Sequence, residues 1–256
     1  MKYCANCMHP LGEEPFCPHC GWDNRVQNLP HQLPCGTVLG ERYLVGRVLG
    51  QGGFGITYMG FDRLLDIPVA VKEYYPNGFV TRDCHYSTFV SDCGMAGSNV
   101  VEANRKRFLK EAQSLAKLSN LPEVVHVQNF FSANGTAYIV MEYIQGSTLK
   151  SYVNQYGRLD AHWVLNVLHP AMQALQKVHE AGIVHRDISP DNIMVMPDGR
   201  VKLLDFGAVR DYGLMVTHNT QAVVKPGFAR RSSISTAVIL VPGRMCMLCV
   251  PPCITA

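Results

Sequence analysis

Four cysteines open the chain in two pairs, Cys4 with Cys7 and Cys17 with Cys20. Each pair has the C-x2-C spacing of a metal knuckle. Four thiolates close a tetrahedral shell around Zn2+, as structural zinc sites require. A redox dithiol or unliganded thiols are the other readings; the doubled spacing favours zinc. The span is too short to bury a core, so metal binding must supply its folding energy. His9 and His19 lie nearby but are surplus to a four-cysteine shell. Four thiolates with one Zn2+ lower the formal charge of +3 to about +1.

A second reactive pattern begins at Gly50, Gly52 and Gly55. Without a Cβ, such residues let backbone N–H groups approach phosphate oxygens. A dinucleotide fold would follow them with a helix. Here a β-prone run, Ile56 to Phe61, follows instead, so the reading is strand, glycine turn, strand. The next run, Asp66 to Val71, ends at Lys72. Val69, Ala70 and Val71 suggest a strand with one face buried. Between Val101 and Leu118, the stripe Phe108, Ala112, Leu115 and Ala116 predicts a helix. Glu111 flanks that stripe, and a carboxylate there needs a cation to offset its desolvation. Lys72 is the candidate.

The elements that position these residues can be read around them. Residues 1–23 form the cysteine module. Residues 24–42, with Pro30 and Pro34 and little periodicity, read as a linker. Residues 73–100 read as an irregular insertion, with Cys84 and Cys93 as free thiols. Asp160 is placed to cap a helix that ends at Gly182, with a kink expected at Pro170. Its apolar face comprises Trp163, Val164, Val167, Leu168, Ala171, Leu175 and Val178. Two short apolar runs then flank Asp198-Gly199, a hairpin signal.

Around that hairpin lie His185-Arg186-Asp187, Asn192 and Asp205-Phe206-Gly207. The glycine loop, Val69-Ala70-Val71-Lys72, Glu111 on the following helix, and these two motifs occur in one order. In that order the sequence resembles the eukaryotic-type Ser/Thr protein kinase family, in its bacterial branch with an N-terminal zinc ribbon. The resemblance spans residues 43–229. It implies an α+β, two-lobed protein-kinase-like fold, with a β-rich small lobe and an incomplete helical large lobe.

The resemblance also implies roles. Lys72, steadied by Glu111, holds the α- and β-phosphates of ATP. Asp187 orients the substrate hydroxyl. Asn192 and Asp205 bind Mg2+ or Mn2+. Leu49, Gly50, Gly52, Gly55, Thr57 and Ala70 enclose the nucleotide. Met141 is the gatekeeper, and Glu142 and Ile144 offer hinge backbone groups. Arg186 with Thr217 or Thr220 suggests control by activation-loop phosphorylation. Two positions depart from the pattern: Thr57 replaces a usual Val, and Ser189 replaces a lysine that contacts the γ-phosphate. The implied activity is ATP-dependent phosphorylation of Ser/Thr on protein substrates. A non-catalytic ATP-binding pseudokinase and a zinc-ribbon adaptor on a kinase-like scaffold are the alternatives.

The expected kinase pattern breaks after Lys225-Pro226-Gly227-Phe228-Ala229, and residues 230–256 read as a frameshifted or non-native tail. With suitable synonymous codons, a one-base shift turns the sequence from Val241 to Thr255 into GPWTDVYALCATMYY. That string resembles the start of the helix expected there. Cys246, Cys249 and Cys253 would then carry no chemistry. An apolar content of 47% against 17% charged residues excludes a disordered chain. The small net charge gives no reason to expect nucleic acid as a partner. No export signal or membrane-spanning run is read, so a cytoplasmic, reducing setting is expected.

Overall fold

In a computed structural model of the chain, the described residues are 2–94, 98–183, 185 and 187–205. The expected tail at 230–256 lies outside them, as do Arg186, Thr217 and Thr220. The chain divides into two units, Met1–Gln145 and Gly146–Ala256.

In the first unit each cysteine knuckle is a tight turn. Strands β1 (Lys2–Tyr3) and β2 (Pro10–Leu11) pair around the first. Gly21, at φ 72°, turns the chain after the second. An antiparallel six-stranded sheet follows. Its strands are β3 (Val38–Leu39), β4 (Tyr43–Gln51), β5 (Gly55–Asp62), β6 (Ile67–Tyr74), and two formed later in the chain. Between β6 and those two lie the short pair β7 (Val80–Thr81) and β8 (Ser91–Asp92), then helix α1 (Ser98–Ala116). Strands β9 (Val127–Ala133) and β10 (Thr136–Glu142) complete the order β3-β4-β5-β6-β10-β9. Their hairpin turns on Asn134 and Gly135, both at positive φ, the geometry an Asn-Gly pair favours. The glycine loop joins β4 to β5, as the sequence predicts.

One expectation for β6 is corrected. Val69, Ala70 and Val71 are all buried, so both faces of the strand are covered, not one. Val69 and Val71 face a core cluster that includes Ile56, Tyr58, Tyr138 and Val140. That core is closed by the segments read as a linker and an insertion. Leu33, from residues 24–42, is fully buried, and its N–H donates to the Tyr58 hydroxyl at 3.1 Å. Asn28 and Gln32 hold this segment in place of a regular ladder. Asn28 donates to Leu33 O and Gly46 O and accepts from Val48 N; Gln32 donates to Gln51 Oε1. Periodicity cannot reveal such packing, because the bonds come from side-chain amides.

Insertion residues 73–100 contribute Val80, Val90 and a buried cation, Arg82. Arg82 meets Glu73 at 2.6 Å, with both side chains fully buried. Its Nη2 also donates to His31 O at 2.8 Å, tying the insertion to the 24–42 segment. The Tyr58 and Tyr138 hydroxyls each donate to Glu73 at 2.8 Å. Burial, with the Glu73 carboxylate beside them, pushes both phenols well up, so they remain protonated donors. Sequence reading missed this network because a lone arginine among turn residues normally marks solvent.

In the second unit, β11 (Ser147–Thr148) leads into α2 (Leu149–Tyr156), capped by the Thr148 hydroxyl on Ser151 N. Helix α3 (Ala161–Glu180) is capped by Asp160, which accepts from Trp163 N at 3.0 Å. Gly182, at φ 74°, lies just past its end, as expected. Val167, Leu168, Ala171, Leu175 and Val178 are buried, whereas Trp163 and Val164 are only half-buried. Strands β12 (Ile193–Val195) and β13 (Val201–Leu203) form the expected hairpin across Asp198-Gly199.

Replacing Arg82 with Met leaves the Glu73 carboxylate buried without its cation. Urea denaturation should show a loss of roughly 3–5 kcal/mol. Adding Glu73→Gln should restore part of it, since the buried charge is gone and the amide oxygen can still accept from one of the two tyrosines, which donate to separate Glu73 oxygens. A loss below about 1 kcal/mol for Arg82→Met would contradict a structural role for the pair.

Candidate active site

Lys72 is set by the pairing of three strands. It lies opposite Thr57 on β5 and Ile139 on β10. Its ammonium lies 6.0 Å from the centre of the Phe108 ring on α1. Glu111 is buried one turn further along that helix, so the lysine approaches the stripe that carries it. Ala70 pairs with both Met59 and Met141, placing two expected nucleotide-facing residues side by side. Leu49, Thr57, Met141, Glu142 and Ile144 are half-buried; the Glu142 carboxylate accepts from His126 N at 2.8 Å.

The glycines have different physical reasons. A Cβ on Gly55 would sit 2.6 Å from Glu73 O, so strand packing alone demands glycine there. A Cβ on Gly50 or Gly52 would meet nothing within 4 Å. Neither has the positive φ that favours glycine. Packing within the protein therefore does not explain them. Bare backbone facing open space is what close approach to a phosphate needs.

The second unit assembles the acidic residues. Asn192 Nδ2 donates to both the carbonyl and the Oδ2 of Asp187, each at 2.8 Å. The Asn192 amide oxygen is thus the atom that can ligate a cation. Asp187 is held from behind, its N–H donating to His185 O. Leu204, the neighbour of Asp205, is pinned twice: its N–H donates to Asn192 O and its carbonyl accepts from His185 Nε2, both at 2.8 Å. Asp205 itself has φ 53°, a left-handed backbone that Asp tolerates and that clusters at functional sites. The Asp205 carboxylate and the Asn192 amide oxygen are hard oxygen donors of the kind that suits Mg2+ or Mn2+. Ser189 is buried and accepts from Asn192 N through its carbonyl, so it serves the loop's shape.

Burial lowers the His185 pKa to about 4, against the opposing pull of its bond to Leu204 and of the Asp205 and Asp187 charges. The ring is neutral at pH 7 and donates from Nε2.

The four cysteines converge. Their sulfurs all lie within 4.8 Å of one another, with Cys4–Cys20 at 3.6 Å and Cys7–Cys17 at 3.7 Å. A tetrahedral zinc with Zn–S bonds near 2.3 Å demands sulfur separations of roughly 3.8 Å. The donor set therefore fits zinc. Burial raises the Cys4 and Cys7 thiols. At Cys20 burial also opposes ionisation, but bonds from Trp22 N–H and the Asn6 amide outweigh it and lower the thiol to about 7. His9 and His19 stack at 4.9 Å beside the cluster.

The sequence description "Protein kinase domain" matches residues 43–230. The chain belongs to the protein kinase family. Among its kinase relatives, the serine/threonine-protein kinase PknL of Mycobacterium tuberculosis is 37% identical over 173 residues, covering 68% of this chain and 38% of that protein. PrkC of Bacillus subtilis is 31% identical over 192 residues, covering 74% and 26%. The chain spans well under half the length of these relatives. The solved kinase "PpkA-294 apo form" superposes with a TM-score of 0.71 at 34% identity, covering 79% of this chain and 71% of that one. Rad53 residues 1–466 in complex with AMP-PNP gives 0.50 at 25% identity, over 66% and 39%. The curled sheet and few helices are thus a kinase fold. Among the described residues, no helix is long and apolar enough to cross a membrane.

Two outcomes follow from this geometry. The purified chain should carry about one zinc, measured by elemental analysis, and Cys7→Ser should lose it. For His185, the unfolded state binds more protons than the folded one between pH 6.5 and about 4. Its contribution is intact above pH 6.5 and falls by roughly 3 kcal/mol as pH drops through that window. His185→Gln keeps a donor for Leu204 but does not titrate, so its urea midpoint should lack this component. Identical pH profiles for the two chains would contradict it.

Proposed function

We propose that the chain's kinase domain transfers the γ-phosphoryl group of ATP to Ser or Thr hydroxyls of protein substrates. The observation that carries this reading is the fixed Asp187–Asn192–Leu204–Asp205 arrangement, together with a glycine loop whose Gly50 and Gly52 answer to no internal packing. Phosphoryl transfer needs little covalent chemistry from a protein and depends on position and charge.

Each residue has a part in that task. Backbone N–H groups around Gly50 and Gly52 cradle the phosphates, and Leu49, Thr57, Ala70 and Met141 line the base. Glu142 and Ile144 bond it through their backbone. The Lys72 ammonium, paired with Glu111, holds the α- and β-phosphates. Asp205 and the Asn192 amide oxygen hold Mg2+, which neutralises phosphate charge when bound. Asp187 accepts a hydrogen bond from the substrate hydroxyl and aims it in line with the leaving oxygen. Zinc in the cysteine ribbon is structural, since four thiolates leave no open position for substrate.

Labelled ATP offered with Mg2+ and a generic protein substrate tests this. A version of the chain with the kinase reading frame restored should incorporate label on Ser and Thr. Asp187→Asn should reduce transfer roughly 10^2- to 10^4-fold. If that chain binds nucleotide but transfers nothing, the non-catalytic reading replaces this one.

A further inference from the structure

The cysteine ribbon is joined to the part of the sheet that faces the expected nucleotide. Met8 follows the first knuckle in a left-handed conformation, φ 58°, and is buried. It forms one apolar cluster with Met59 and Phe61, against which Tyr3, Leu44, Leu49 and Tyr143 pack. Met59 is the cross-strand partner of Ala70, which in turn pairs with Met141. Leu49 directly precedes the first loop glycine, and Tyr143 lies between Glu142 and Ile144. A cysteine knuckle thus supports residues at both ends of the expected base pocket.

A polar path runs beside the apolar one. Asn6 Nδ2 donates to Cys20 Sγ at 3.5 Å, and Asn6 Oδ1 accepts from Arg47 Nε at 2.5 Å. Arg47 is on β4, two residues before Leu49; its N–H donates to Ala5 O at 2.8 Å, and its guanidinium lies 5.3 Å from the Trp22 ring centre. A Cβ on Gly46 would collide with Met8 Cε and with the Ala5 carbonyl oxygen, so this contact requires glycine. A residue that bonds a metal ligand and also a neighbouring strand orients both.

We propose that Met8 and Asn6 are positioning residues for the nucleotide site. Metal held by Cys4, Cys7, Cys17 and Cys20 and nucleotide held at the glycine loop then strengthen each other's binding. This rests on the ATP-binding reading above. The thiolate cage fixes the knuckle backbone, the knuckle fixes Met8 and Asn6, and these fix Leu49 and the Met59–Ala70 pair. Without the metal the knuckle loses its cross-link and the support is released. Linkage makes the effect reciprocal.

The test is equilibrium titration of the full chain with a fluorescent ATP analogue and Mg2+. Stripping zinc with a zinc-selective chelator under reducing conditions should raise the Kd about fivefold or more. Met8→Ala should weaken nucleotide binding similarly while zinc stays bound, and Met8→Leu should restore it. Reciprocally, saturating analogue should raise zinc affinity by the same factor in competition with the chelator. That arm uses the unmodified chain, so it decides the matter even if Met8→Ala does not fold. An unchanged Kd on zinc removal, in a chain that binds nucleotide, overturns the proposal and leaves the ATP reading standing. If the zinc-loaded chain binds no nucleotide at all, the ATP reading falls and this inference with it.

Discussion

Successive residues of a β-strand face opposite sides of the sheet, and on β6 this constraint separates two tasks. Lys72 and Ala70 point to the face that carries Met59, Thr57, Met141 and the approach to Phe108. Val71 and Glu73 point to the other, where Tyr58 and Tyr138 hold the Glu73 carboxylate against Arg82. On the proposed reading, the Lys72 charge on one face serves the nucleotide. The charge on the next residue is spent internally. A one-residue slip of β6 would exchange them, placing an ammonium in the core and a carboxylate on the face proposed to meet phosphate. The buried Glu73–Arg82 pair therefore opposes the wrong register as well as anchoring the insertion.

The loop from His185 to Asn192, proposed to be catalytic, is held by a similarly small set of contacts. His185 and Asn192 grip the two sides of the Leu204 peptide, and Asn192 also grips Asp187. The His185 ring, the Asn192 backbone carbonyl and the Asn192 side-chain amide thereby fix the loop, the end of β13 and the start of the segment carrying Asp205. Because His185 is neutral and buried, that grip is a donor–acceptor bond that survives changes of pH near 7. The ribbon adds a third anchoring point, through Gly46 and Arg47, to the strand that ends in the glycine loop.

Much of this was legible in the residues. While the strand expected to end at Lys72 runs on to Tyr74, the glycine loop with a β-run after it, the Asp160 cap and the Gly182 stop all appear where local rules put them. The two cysteine knuckles do as well, because four ligands at that spacing have one economical arrangement. What could not be read depends on contacts far apart in sequence. Arg82 sits in a stretch of turn residues, and nothing local names Glu73 as its partner. Residues 24–42 have no periodicity, yet Leu33 is buried, because side-chain amides of Asn28 and Gln32 replace a ladder. The contact of Met8 with the sheet was equally hidden, since Gly46 looks like any strand glycine until its neighbour is known. The reading of 73–100 as irregular missed the end of β6, the short pair β7 and β8 and the start of α1, and was silent about the stretch's core role.

The division of labour on β6 is tested most directly by calorimetric titration of Mg·ATP into wild-type chain and Lys72→Met. Lys72 lies on the face proposed for the ligand and outside the Tyr58–Glu73–Arg82–Tyr138 network. The account predicts about one binding event per wild-type chain and a loss of affinity of tenfold or more, roughly 1.4 kcal/mol, in Lys72→Met. Equal affinity in the two chains, or no binding to the wild type, would contradict it.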